Sequence, residues 1–140
     1  MKGVYTLLIY LAEDEEITVG SLGEFAFRSG FYSYTGSAMG SGAQSLGGRV
    51  SRHILGSKKM KWHIDWFLAD TETRIVAVFT KKSETRLECK VNQTIKRLCQ
   101  ATIPVMHFGS TDCRLGCGSH LLYFGYKAPI HEIKEIYRKI

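Results

Sequence analysis

Apolar residues cluster in short runs along the chain, separated by polar segments that contain glycine or acidic residues. Residues 3–12 and 30–36 are dense in aromatic and aliphatic side chains, which is typical of buried strands. Residues 17–19 and 24–27 could form two shorter strands around a glycine turn, and the acidic run 13–16 predicts a turn. Because the connections between the two long strands are short and polar, we expect these strands to pair antiparallel.

Helical spacing dominates after the glycine-rich segment 36–48. Leu46, Val50 and Ile54 predict a helix from Ser45 to just before Gly56. A second helix is predicted over residues 83–99. Its apolar stripe is formed by Leu87, Val91, Ile95 and Leu98. The remaining predicted elements are a short helix or turn within 58–70, strands at 74–80, 101–106 and 120–124, a loop at 107–119 and an amphipathic helix at 129–139.

This order of elements predicts a small mixed α/β or α+β domain, with a small central, mostly antiparallel sheet flanked by helices. The length of 140 residues fits one domain spanning residues 1–140, and no linker or repeat is evident. The apolar run after Lys2 is interrupted by tyrosines and followed by acidic residues, which favours a strand over a signal peptide. No stretch reaches the ~18 apolar residues of a membrane span, so we expect a soluble, cytoplasmic protein without a membrane partner.

Charge changes the picture, because the net charge of +6 is unevenly placed. The segment from Phe25 to Ile64 contains no Asp or Glu. Its basic residues, which account for the whole excess, are Arg28, Arg49, Arg52, Lys58, Lys59 and Lys61. An acid-free basic segment could contact a phosphate backbone, or it could be a solvated face that aids solubility.

Two triplets, Gly3-Val4-Tyr5 and Tyr34-Thr35-Gly36, occur in order on the two long predicted strands. A helix with an arginine and, one turn later, a histidine follows them, and a glutamate lies in the next long helix. This ordered set resembles the GIY-YIG endonuclease superfamily, and the segments GFYSYTGSA, WHIDWFL and FGSTDC resemble its Uri-type branch. Members of that branch occur alone or fused to DNA-repair glycosylases.

The resemblance implies a set of catalytic residues: Tyr5, Tyr34, Arg49 and His53. Tyr5 would orient or deprotonate the attacking water, Tyr34 would position the scissile phosphate, and Arg49 would bind that phosphate. Glu88 would hold a divalent ion, Mg²⁺ or Mn²⁺. The alternatives are ordinary strand packing for the tyrosines and exposed helical positions for Arg49 and Glu88.

The chain departs from the family pattern in four ways. Ser37 and Ala38 stand where some repair nucleases have a lysine shortly after the second triplet. Twenty-eight residues separate the triplets, more than the family usually has, so we expect an insertion within residues 13–29. Thr35 stands where isoleucine is usual. The late asparagine of several members has no evident counterpart, and Asp112 or Ser119 could substitute.

Several other residues allow two interpretations each, one functional and one structural. The glycines of the loop at 36–48 could cradle a phosphate or simply form a connection. His63 could be assisted by Asp65 or could be structural, and either Trp62 or Trp66 could stack on a base or pack in the core. Cys113-x3-Cys117-x2-His120 could bind zinc, but the paired spacing of zinc knuckles is absent, which argues against it.

The sequence therefore predicts a metal-dependent endonuclease acting on DNA, with repair as its setting; RNA is not excluded as the substrate. The expected nucleic-acid contacts are Arg52, Lys58, Lys59, Lys61 and His63. The alternatives are a non-catalytic nucleic-acid-binding module and an accessory domain of a DNA-repair enzyme. Apolar residues on the terminal helix could pack on the core or against a second copy in a homodimer.

Overall fold

The computed structural model describes residues 1–56, 59–110, 113 and 115–140. It contains six strands and four α-helices among these residues. The strands are β1 (Gly3–Leu11), β2 (Glu15–Val19), β3 (Gly23–Phe27), β4 (Gly30–Ala38), β5 (Thr73–Lys82) and β6 (Leu121–Gly125). The helices are α1 (Leu46–Leu55), α2 (His63–Leu68), α3 (Glu88–Cys99) and α4 (Ile130–Lys139). No helix in the described part of the chain is long and apolar enough to span a membrane.

A four-stranded sheet in the order β5-β1-β4-β6 forms the centre of the fold. Each neighbouring pair runs antiparallel, including the predicted pair of β1 and β4. The chain therefore has the α+β architecture that the hydrophobic pattern predicts, with helices flanking a mostly antiparallel sheet.

Alternate residues of the strands point to opposite sides of the sheet and build two separate cores. On the α1–α2 face, Tyr5 and Leu7 of β1 pack with Tyr34 of β4 and with the buried residues of helices α1 and α2. On the α3–α4 face, Val4 and Leu8 pack with α3 and α4. The apolar side of α4 thus covers this sheet face, with the side chains of Ile133, Ile136 and Tyr137 buried there.

The insertion between the first two long strands folds into a separate two-stranded hairpin, β2–β3. Its apolar side joins the α1–α2 core through Ile17, Val19 and Phe27. Glu15, at the start of the hairpin, lies near Asp70 and Glu72. Desolvation raises the pKa of Glu15, and the negative charge of these two residues raises it further. The hairpin therefore places a cluster of acidic residues beyond the carboxyl end of β1.

Three predicted boundaries are wrong. The helix predicted over 83–99 begins only at Glu88, and Leu98, assigned to its apolar stripe, is 59% exposed. The strand predicted over 101–106 is reduced to a single bridge, between Thr102 and Tyr123. Glu15 and Glu16, predicted in a turn, begin strand β2.

The ends of α1 are as predicted, and the reason is local. The Ser45 hydroxyl accepts a hydrogen bond from the Gly48 backbone N–H, which caps the first turn. Gly56 follows the last turn with a φ of 79°, a conformation that favours glycine. This fixed helix presents Arg49 and His53, four residues apart, on the side that faces β1 and β4.

Candidate functional site

A cleft of about 470 Å³ opens where β6 begins alongside β4. Strand β6 pairs with β4 only as far as Tyr34, so the edge of β4 is not covered by β6 from Gly36 onward. Side chains from both faces of the sheet meet at this edge. The cleft is lined by Tyr5, Tyr34, Gly36, Ser37, Arg49, Trp62, Arg86, Glu88, Cys89, Gly109, Cys113, Leu115 and His120.

Four of the five residues singled out by the family resemblance line this cleft. They are Tyr5, Tyr34, Arg49 and Glu88. Strand register explains the first two, because Tyr5 lies opposite Gly36, two residues after Tyr34. The tyrosine rings are 6.5 Å apart between centroids. The fifth residue, His53, lies directly behind them.

Gly36 gives the Tyr5 side chain its room. A Cβ atom at position 36 would lie 2.6 Å from the Tyr5 hydroxyl, closer than real side chains approach. The middle residue of the same triplet, Thr35, points to the other face, where its hydroxyl hydrogen-bonds Thr6 at 2.8 Å. The threonine that replaces isoleucine thus has a structural partner, and only the outer residues of the triplet face the cleft side.

The Tyr5 hydroxyl is hydrogen-bonded to Nε2 of His53 at 2.8 Å. Desolvation lowers the pKa of His53 to about 4, so the imidazole is neutral at neutral pH. Desolvation likewise raises the pKa of Tyr5 well above its usual value, with a further contribution from Tyr34. Both groups are therefore uncharged, and one hydrogen bond joins the phenol to the imidazole.

Arg49 crosses the entrance of the cleft over the face of Trp62, with its guanidinium carbon 4.9 Å from the ring centroid. Its Nη2 donates to Gln44 Oε1 at 2.9 Å. Its Nε is buried without a hydrogen-bond partner among the described residues. A guanidinium beside a cleft that still has N–H groups without a hydrogen-bond partner can bind an anionic ligand.

Glu88 begins α3 and approaches the cleft from the opposite face of the sheet. The Ser37 hydroxyl donates to its Oε2, and Arg86 Nη1 lies 3.6 Å from its Oε1. Its side chain is 15% exposed. Among the described residues lining the cleft it supplies the sole carboxylate, which is the kind of ligand that Mg²⁺ takes in small number alongside water.

Arg52, one of the predicted nucleic-acid contacts, is engaged inside the fold. Its guanidinium donates to both carboxylate oxygens of Asp65, at 2.7 and 2.8 Å. Asp65 also accepts from the backbone N–H groups of Lys61 and Trp62, which caps α2. These hydrogen bonds outweigh the cost of burial and lower the pKa of Asp65. The Arg52 guanidinium also covers Trp62, at 4.4 Å from the ring centroid.

The other predicted nucleic-acid contacts are in different situations. Lys59 and Lys61 are exposed. His63 accepts a hydrogen bond at Nδ1 from the Gly109 backbone N–H at 2.8 Å, so it joins two segments of the fold and is not paired with Asp65. Lys58 lies outside the described residues. Asp112, considered above as a replacement for the late asparagine, lies outside them too.

A cysteine–histidine cluster at the rim of the cleft has one member that the spacing of residues along the chain does not reveal. Cys113, Cys117 and His120 lie together, and Cys89 of α3 joins them. The ligand atoms of these four residues lie within 4.8 Å of one another. Cys89 comes 24 residues before Cys113, so a search for closely spaced pairs could not find it. The signal in the sequence is that Cys89 directly follows Glu88, which the family resemblance already places at the site.

Comparisons with known proteins give a family for the chain. A search of curated proteins found no match, and a search of solved structures found none either. The model of one protein family, described as "Domain of unknown function DUF123", matches residues 4–140. Since this match covers nearly the whole sequence, the chain belongs to the DUF123 family.

Proposed function

We propose that the chain is a metal-dependent endonuclease that hydrolyses phosphodiester bonds in DNA. The observation that supports this most is the meeting of Tyr5, Tyr34, Arg49 and Glu88 in one cleft. These residues come from two strands and two helices on both faces of the sheet. The resemblance to GIY-YIG endonucleases selects the same residues from their order in the sequence.

Tyr5 and His53 act together on the attacking water in this proposal. The Tyr5 oxygen takes a proton from water while its own proton passes to His53 Nε2, 2.8 Å away. The hydroxide attacks phosphorus, and the bond from phosphorus to the leaving oxygen breaks with its electron pair on that oxygen. The leaving oxygen takes up a proton from solvent water, and His53 later releases its proton to solvent. Because Tyr5 stays neutral throughout, its raised pKa is no obstacle. The negative charge of a bound phosphate favours the imidazolium that forms.

Arg49 and Tyr34 hold the scissile phosphate. Arg49 supplies a permanently charged guanidinium with N–H groups in a fixed plane, suited to phosphate oxygens. Tyr34 donates a hydrogen bond, since burial raises its pKa and keeps the hydroxyl protonated. Trp62 under Arg49 restricts the guanidinium to the mouth of the cleft.

Glu88 is the residue suited to hold Mg²⁺ or Mn²⁺. Its carboxylate faces the cleft from the start of α3, and water and substrate phosphate would supply the other ligands of a bound Mg²⁺. When bound, the ion supplies positive charge that stabilises the charge developing on the phosphate. The Ser37 hydroxyl orients the Glu88 carboxylate.

Glu88→Gln tests the proposal most directly. We expect the variant to lose Mg²⁺-dependent cleavage of duplex, single-stranded and branched DNA while it still binds DNA in fluorescence anisotropy. Glu84→Gln is the matched control, because Glu84 is exposed and lies four residues earlier in the chain. Cleavage at the wild-type rate by Glu88→Gln contradicts the assignment.

The same measurements separate cutting from binding alone. If wild-type protein binds DNA but cleaves no substrate with Mg²⁺ or Mn²⁺, the chain is a binding module or an accessory domain of a repair enzyme. Binding that is independent of salt concentration contradicts both nucleic-acid functions, because phosphate contacts release counterions. RNA substrates belong in the same assay. The cytoplasmic location and the repair setting are part of this proposal.

A further inference from the structure

The cysteine–histidine cluster brings together residues from three parts of the chain. Cys89 lies in the first turn of α3, Cys113 and Cys117 lie in the segment before β6, and His120 directly precedes β6. The Cys89 sulfur is 3.3 Å from the Cys113 sulfur and 3.6 Å from His120 Nε2. Cys117 and His120 are buried, and the other two are partly buried.

These distances fit a metal ion better than thiol packing or a disulfide. Ligands held about 2.3 Å (sulfur) and 2.1 Å (nitrogen) from zinc in a tetrahedron lie about 3.5 to 3.8 Å from each other. The two separations of 3.3 and 3.6 Å are close to that spacing. A disulfide would require sulfurs about 2.05 Å apart, and a pair of cysteines would leave the third sulfur and the imidazole unexplained.

Groups around the cluster orient its ligands. Gln93, one turn after Cys89 on α3, directs its side-chain N–H toward the Cys117 sulfur at 3.5 Å and the Leu115 carbonyl at 3.4 Å. Gly109 lies next to the His120 side chain, since a Cβ atom built on this glycine would be 3.5 Å from the His120 Cβ.

We propose that Cys89, Cys113, Cys117 and His120 form a structural zinc site. Three thiolates and one imidazole complete a tetrahedron, so the ion has no open position for substrate or water. The site connects α3 to the segment that precedes β6. Because Cys89, Cys113 and His120 also line the cleft, the ion holds one wall of it in place.

The zinc site does not depend on the proposed nuclease activity, because none of its four ligands is a proposed catalytic residue. Cys89 directly follows Glu88, so zinc would also fix the backbone that carries the proposed magnesium ligand. Two ions of different chemistry would then lie at neighbouring positions: zinc on sulfur and nitrogen, and magnesium on oxygen.

Metal content of the purified full chain tests the site. Protein expressed with added zinc and purified without chelator is expected to contain one zinc per chain by inductively coupled plasma mass spectrometry. Cys117→Ser and Cys113→Ser are expected to lose at least nine-tenths of it. Cys99→Ser is the matched control: Cys99 lies at the end of the same helix but packs against the α3–α4 core, and its loss should leave the zinc content unchanged.

Cobalt substitution gives a second measurement that needs no purified variant. Reduced, metal-free wild-type protein titrated with Co²⁺ is expected to show tetrahedral d–d bands and strong thiolate-to-cobalt charge transfer, saturating at one equivalent. Zinc should displace the cobalt and abolish these bands. Wild-type protein that holds no zinc and shows octahedral cobalt, or that holds iron instead, overturns the proposal. None of these results depends on whether DNA is cut.

Discussion

Two buried tyrosine hydroxyls, one on each face of the sheet, show what distinguishes a candidate catalytic group from a structural one. Tyr137 of α4 hydrogen-bonds Thr6 at 2.6 Å on the α3–α4 face. Tyr5 hydrogen-bonds His53 at 2.8 Å on the α1–α2 face. Desolvation raises the pKa of both hydroxyls. Burial and a shifted pKa therefore do not set Tyr5 apart.

The difference lies in the partner and in access. Thr6 is itself bonded to Thr35, which closes the network around Tyr137 inside the core. The partner of Tyr5 is a neutral imidazole that can take up a proton, and Tyr5 also lines the cleft. The α3–α4 face thus uses its hydroxyl to hold helix and sheet together, whereas the hydroxyl on the α1–α2 face lies at the cleft beside a neutral imidazole.

The largest expected effect concerns the two arginines of α1, which divide in the same way as the tyrosines. Arg52→Ala leaves the Asp65 carboxylate, whose side chain is 2% exposed, without its counter-charge. We expect a loss of about 3 kcal/mol in the free energy of unfolding, measured by urea denaturation. Arg49→Ala should cost below about 1 kcal/mol and should instead reduce cleavage. Equal losses of stability in the two variants would show that Arg49 is as much a structural residue as Arg52.

The next effect compares the tyrosines directly. Tyr5→Phe should slow cleavage by about 10²-fold, since it removes the group that receives the proton from water. Tyr137→Phe should leave cleavage unchanged and cost about 1 kcal/mol of stability, the usual value for one buried hydrogen bond. Single-turnover rates and urea denaturation measure both variants. A Tyr137→Phe variant that loses as much activity as Tyr5→Phe would show that the two hydroxyls are not different in kind.

Gly36→Ala should have an intermediate effect. The added methyl group would meet the Tyr5 hydroxyl at 2.6 Å, so the ring must shift away from His53. Overpacking of this kind costs about 1–3 kcal/mol, and we expect cleavage to fall by about tenfold or more. Gly47→Ala, with no atom within 4 Å of its new methyl group, should keep full activity and gain up to about 1 kcal/mol of stability. Retained activity in Gly36→Ala would show that the position of Tyr5 is not critical.

The last prediction concerns the pH dependence of stability. Between the usual pKa of 6.5 and the folded value of about 4, the unfolded chain protonates His53 and the folded chain does not. The free energy of unfolding should therefore fall by about 1.4 kcal/mol for each pH unit below 6.5, and the contribution is complete above that pH. Urea denaturation of wild type and His53→Gln from pH 4.5 to 7 isolates it. Parallel pH profiles would show that His53 titrates normally.

Much of the fold was accessible from sequence because its signals are local. The long apolar runs predict β1 and β4, and Ser45 and Gly56 mark the ends of α1. Helix α3 begins at Glu88 and not at residue 83, because Ser83 and Thr85 form side-chain hydrogen bonds that favour a turn over a helix. The strand predicted over 101–106 contains Pro104, which cannot donate to a ladder, and one bridge is all that forms.

In the candidate site, too, some residues can be predicted from the sequence and others only from the packing of the fold. Tyr5, Tyr34, Arg49 and Glu88 could be selected because a known motif orders them along the chain. The pairing of Arg52 with Asp65 and the joining of Cys89 to the late cysteines depend on how α2 and α3 pack against the sheet. No local spacing encodes such contacts. Charge alone therefore predicts Arg52 as a nucleic-acid contact, and spacing alone leaves Cys89 out of the predicted zinc ligands.

The acidic hairpin has a consequence for how the molecule would meet a polyanion. Glu13 and Glu15 lie beyond the carboxyl end of β1, near Asp70 and Glu72. Lys81 and Lys82 lie opposite the first residues of β1, at the end where the cleft opens. Acidic side chains are therefore gathered at one end of the central strands, and these two lysines lie at the other. If the chain binds nucleic acid as proposed, repulsion of the acidic end and attraction of the lysines would turn the cleft toward the phosphates before any contact is made.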